Sequence, residues 1–170
     1  MQKLSLFLHV IDNISDWSGK LVSFLIVFMI GLISYEVVLR YIFNAPTIWS
    51  HETSLFLYGA YAILAGAYTL RHRWHVNMDI VYARLSQRWR AIADLLTFAL
   101  FFLFCIVLLW HGGQFAWKSL QLLETTTTPW DPPLYPLKLT IPVAAFLLLL
   151  QGLAKFIRDL IIAITGKELL

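Results

Sequence analysis

The chain has 170 residues, of which 59% are hydrophobic and 14% charged, with 13 Lys and Arg against 10 Asp and Glu. Soluble domains carry about 25% charged residues, so this composition excludes an ordinary water-soluble domain. The net charge of +3 is small and its basic residues are spread along the chain, which excludes a nucleic-acid-binding face. Cys105 is the single cysteine, so no internal disulfide or cysteine metal cluster is possible.

In chain order, Leu4, Phe7, Leu8, Ile11 and Ile14 follow helical spacing. They predict an amphipathic helix on a membrane surface, followed by Asp16 as a cap for the first span. Four uncharged apolar runs come next, Leu21 to Tyr35, Thr53 to Leu70, Leu95 to Trp117 and Leu139 to Ala154. A spanning helix needs roughly 20 mostly apolar residues. The middle two runs suffice, and the outer two reach that length if Lys20, Glu36, Lys138 and Lys155 sit among the headgroups. Backbone polar groups in lipid must be satisfied internally, so each run is a helix. The fold class is an all-α membrane protein. It forms one domain over 1–170, with spans near 18–42, 51–71, 91–117 and 135–160.

Between spans one and two, Asn44 and Pro46 break the helix, and Ser50 with Glu52 opens the next one. Span two closes in the basic segment Arg71-His72-Arg73-Trp74-His75. Met78, Val81, Tyr82, Leu85 and Trp89 then share one helical face, which predicts a second surface helix between spans two and three. The stretch 125–136 holds a four-threonine run and four of the six prolines, and these are expected to end the third helix. Span four carries Pro142.

Basic residues favour the cytoplasmic side. With both termini inside, ten of the 13 lie inside and Arg40, Lys118 and Lys138 lie outside. Both termini are therefore expected in the cytoplasm. Seven Trp and seven Tyr suit the aromatic belts at bilayer interfaces.

Two constellations stand out. Glu36 and Arg40 are four apart on span one, and Glu52 faces them across a short loop. Unpaired charge near hydrocarbon is costly, so the three are expected to clasp spans one and two together. Asp79 is expected to cap the inner helix or to pair with Arg71 or Arg73. His51 and His111 near span ends leave open a haem held between two helices. No span shows a mid-depth acidic or amide cluster of Asp, Glu or Asn, or a Gly/Pro break of the kind that marks a transport site. The chain therefore reads as a helper beside a larger partner rather than as a transporter acting alone. No catalytic residue, metal site or cofactor is assigned.

The run from Tyr35 to Val81 resembles the small membrane subunit, the DctQ-like component, of tripartite ATP-independent periplasmic (TRAP) transporters. Arg40, Tyr41 and Phe43 end span one in the family's manner, Trp49 and Glu52 follow in the short loop, and His75 and Asp79 follow the basic turn. The Pro-rich loop and the span from Ile141 to Gly152 are similar to the family's last helix. The chain departs from the family where His51 occupies an acidic position and Leu55 a frequent arginine. The resemblance implies a bacterial inner-membrane scaffold subunit that is no enzyme; together with the charge reading above, it makes Glu36, Arg40, Trp49, Glu52, Arg71, Arg73, His75 and Asp79 the expected structural or subunit-contact residues. It also implies a large membrane subunit that moves an organic acid with sodium, and a periplasmic binding protein that delivers it. The alternative, from a different class, is a haem-b membrane anchor of a redox enzyme.

Overall fold

A computed structural model of the chain describes residues 2–72 and 87–165. It contains four helices, α1 (Gln2–Tyr41), α2 (Ser50–Arg71), α3 (Gln87–Gln121) and α4 (Tyr135–Thr165). All four are long and apolar enough to cross a membrane. The second expected surface helix falls largely on residues 73–86, outside the described residues.

α1 differs from expectation. It runs unbroken for 40 residues, about 60 Å at 1.5 Å per residue, and Asp16 caps nothing. No Gly-Pro punctuation interrupts it, and two residues of the expected surface face, Leu8 and Ile11, are used in packing while Ile14 stays exposed. Leu8 and Ile11 are buried against Ala154 of α4, with Leu150 and Ile157 alongside.

α3 stops earlier than the prolines require. It ends at Gln121 in a Schellman motif. The Leu123 N–H returns to the Leu120 carbonyl and the Glu124 N–H to Ser119, with Leu123 in the left-handed region at φ 46°. Two terminal carbonyls are thereby satisfied before the threonine run begins. The loop that follows is folded. Thr125 and Pro133 form an isolated antiparallel bridge, Thr126 N–H reaches the Pro132 carbonyl, and Asp131 N–H closes a turn on Thr128 with Pro129 in the second position, where its fixed φ is favourable.

The helices pack in the order α1, α2, α4, α3, with a lesser contact of α1 on α4. α1 and α3 are thus the outermost helices of the series. Association in lipid depends on close packing and polar contacts, and the junctions show both. On α2, Gly59 and Gly66 lie against Leu137 and Leu148 of α4. Gly19 of α1 receives the ring of Tyr68, Gly112 of α3 receives Ile141, and Gly152 of α4 receives Phe101. Phe98, Phe102 and Phe156 add an aromatic cluster between α3 and α4, with ring centroids 5.4–5.8 Å apart. The outer faces stay apolar and open, including Phe24, Val27 and Phe28 on α1 and Leu100, Phe104 and Trp110 on α3. Patches this large require lipid or partner helices.

Candidate functional site

The polar residues of the array gather at its two ends. At the end carrying the loops 42–49 and 122–134, Glu36 is nearly buried at the top of α1. Arg40, one turn on, donates Nη2 to Glu36 Oε1 at 2.9 Å. The short loop then folds back, and Thr47 donates its backbone N–H at 3.3 Å and its hydroxyl to the same carboxylate. Asn44, in the left-handed conformation at φ 51°, makes that reversal possible, since Asn tolerates this region better than most residues.

Glu52 does not join this group. Its carboxylate accepts the Thr128 hydroxyl at 2.8 Å, from the other loop. Thr47 and Arg40 already meet the hydrogen-bonding needs of Glu36, and the folded loop 122–134 brings its own donor to Glu52. Trp49 belongs to this second junction, its ring tilted against Trp130 with centroids 6.5 Å apart. The loop is tied down again by Glu124, which pairs with Lys138 of α4, while Lys138 lies 4.1 Å from the centre of the Phe115 ring. The Glu124 carboxyl is held below its ordinary pKa, above all by the hydrogen bond from Lys138.

The opposite end, which carries the termini, holds a network that the sequence analysis did not assemble. Asp12 of α1 accepts Arg158 Nη2 at 2.5 Å and Gln151 Nε2 at 3.3 Å, both from α4. Ser15 donates its hydroxyl to Gln151 Oε1 at 2.7 Å. Arg71 at the end of α2 pairs with Asp16, binds the Asp12 carbonyl, and has Nε 3.9 Å from the Asp12 carboxylate. His72 Nε2 stands 3.5 Å from Asp16. Asp12, Ser15 and Gln151 are all buried, which answers the rule that buried polar groups need partners. α1, α2 and α4 are thus tied together at one point.

Of the residues marked from sequence, Glu36 and Arg40 meet each other, Trp49 and Glu52 meet loop 122–134, and Arg71 meets Asp12 and Asp16. Arg73, His75 and Asp79 lie outside the described residues. Thr47, Asp12, Ser15, Asp16, Gln151 and Arg158 were missed. Gln151 offered a signal, because an amide inside the run LLLLQG must find a partner in lipid. Asp12 did not, since it read as the polar face of a surface helix.

Among the described residues no three of His, Cys, Asp and Glu come together as a metal site. His51 and His111 sit on α2 and α3, and α4 packs between those helices.

Residues 12–161 match the model of the family described as "Tripartite ATP-independent periplasmic transporters, DctQ component". The chain belongs to this family. It is thus the small-subunit component of a TRAP transporter, a multi-pass protein of the inner membrane. Among curated proteins it is similar to the C4-dicarboxylate TRAP transporter small permease protein DctQ of Vibrio cholerae, 23% identical over 59% of this chain and 47% of that protein. The matched stretch spans about half the length of that relative. The haem-anchor alternative finds no support in the family or in the placement of His51 and His111.

Proposed function

We propose that this DctQ-family chain is a non-catalytic scaffold, packing against a large membrane subunit that carries an organic acid inward with sodium, supplied by a periplasmic binding protein. The observation that carries this reading is the family match over 12–161 on a chain whose polar residues bind one another at the two ends while broad apolar faces stay open. A protein of this shape can hold a neighbour through its faces. Transport of an ion or carboxylate needs ligands at mid-depth, and those are the business of the larger subunit. The C4-dicarboxylate named for the Vibrio relative makes a small organic acid the substrate class to test first. The termini lie in the cytoplasm, as the distribution of basic residues favours.

Uptake into proteoliposomes with a sodium gradient, the binding protein and the large subunit, with and without this chain, tests the reading. Uptake is expected only when this chain and the large subunit are both present. Saturable uptake or substrate binding by this chain alone overturns it. On a Cys105→Ala background, Thr126→Cys is expected to react with an impermeant thiol reagent in intact cells and Gln2→Cys is not. The opposite pattern reverses the topology.

A further inference from the structure

A groove of about 320 Å³ opens between α1 and α2 at the loop end, within the ~300–1,000 Å³ range of small-molecule clefts. Ile33, Val37, Arg40 and Tyr41 line it from α1, and Ser50, His51 and Ser54 line it from α2. Ile33, Glu36, Val37 and Arg40 recur at i, i+3, i+4 and i+7, one stripe of a helix. The groove is therefore graded along the membrane normal, apolar toward mid-bilayer and rich in donors at the boundary.

The donors are not used up by the protein. Arg40 spends one N–H on Glu36 and makes no other hydrogen bond among the described residues, and its side chain is 51% exposed. Ser50 is 1% exposed, lines the groove, and its hydroxyl donates to no described residue. It sits at the start of α2, a helix of 22 residues whose first N–H groups lack helical partners and favour an anion. Glu36 does not close the site to negative charge, because Arg40 and two Thr47 donors already answer its carboxylate. Glu52, the acid in the first turn of α2, is engaged by Thr128.

We infer that this groove seats one phospholipid, its phosphodiester held by Arg40 and Ser50 and its acyl chain lying along Val37 and Ile33. A free anion would use the donors and leave the apolar walls bare. A bare hydrocarbon would fill the walls and leave the Ser50 hydroxyl and a half-exposed guanidinium unused. A phospholipid matches both halves, and it is present at the boundary of every membrane helix.

Native mass spectrometry of the delipidated full chain, titrated with phosphatidylglycerol, tests the inference. One tightly held lipid is expected. Its affinity should fall about tenfold or more in Arg40→Ala, which removes the cation, and in Val37→Trp, which fills the groove from an exposed wall and leaves the Glu36–Arg40 pair in place. Diacylglycerol, which lacks the phosphate, and inorganic phosphate, which lacks the chains, should each fail to compete. Equal lipid retention in Val37→Trp and wild type overturns the inference even if Arg40→Ala does not fold. Displacement by inorganic phosphate would make it a free-anion site, and displacement by diacylglycerol a mere acyl contact. A photocrosslinker at residue 37 in the assembled transporter should capture lipid, and capture of a protein side chain instead would assign the groove to a partner subunit.

Discussion

Asp12 and Arg158 are separated by 146 residues in the chain and by 2.5 Å in the fold. Between them they tie the first helix to the last, and Arg71 adds the second helix to the same point. The Asp12 side chain is 12% exposed and that of Arg158 32%, so the pair is partly shielded from water without being fully desolvated. Such a pair contributes more than a surface salt bridge, and removing one member leaves a charge without its partner.

Asp12→Ala and Arg158→Ala are each expected to destabilise the folded chain by about 1–3 kcal/mol. The double variant should cost less than the two singles together, by roughly 1–2 kcal/mol. Thermal unfolding in a mild detergent measures all three. Strictly additive losses would mean that the two side chains stabilise the fold independently.

The four spanning helices were legible because apolar length alone decides them in a bilayer. Their ends were less so. The threonine and proline run near 125–136 was expected to stop α3, whereas Leu123 stops it by turning left-handed, a conformation that sequence pattern does not advertise in leucine. On α2, Gly59 and Gly66 are met by Leu137 and Leu148 of α4. The charges were legible as needing partners, but which partner depends on how a loop folds. Thr47 reaches Glu36 only because Asn44 reverses the chain, and Glu52 is met by a loop some 76 positions away. The Asp12 network needs three helix ends in one place, which no local spacing reveals.

Gly19 leaves the least room for a side chain among the described glycines. A Cβ there would stand 2.1 Å from the Tyr68 ring near its attachment, and the Tyr68 ring is itself tilted against His72 with centroids 4.3 Å apart. Neither the ring nor the backbone can yield cheaply. Gly19→Ala is expected to lower the melting temperature by several degrees despite the better helix propensity of alanine, worth about 1 kcal/mol. Gly31→Ala is the control. Nothing lies within 4 Å of its added carbon, so it should be neutral or stabilising within the isolated chain. Equal behaviour of the two variants would show that α1 and α2 do not pack at Gly19.

Acid should loosen the loop 122–134. Lys138 holds the Glu124 carboxyl below its ordinary pKa, whereas the unfolded chain has the ordinary value of about 4.3. The stabilisation from this contact is therefore complete above that value and disappears as pH falls through the lower folded pKa. Fluorescence of the Trp49–Trp130 pair, followed from pH 6 downward in variants that retain only those two tryptophans, should change in that acid window. Glu124→Gln should remove the change. A transition that survives this substitution belongs to another group.

The two loop junctions should respond separately to mutation. Thr47 gives Glu36 both a hydroxyl and a backbone N–H, so Thr47→Val removes one donor of the carboxylate and leaves the shape nearly unchanged. A cost of about 1–2 kcal/mol is expected, because a nearly buried carboxylate loses a charge-assisted bond. Arg40→Ala should cost no more than this, since its half-exposed guanidinium is partly screened. Glu52→Ala touches a different contact, the exposed bond from Thr128, and should barely move the melting temperature. Its expected effect is on the Trp130 turn, read as faster hydrogen exchange in 125–133 with none at the top of α1. If Glu52→Ala instead destabilises the α1–α2 hairpin as much as Thr47→Val does, the three charges form one clasp and the separation of the two junctions is wrong.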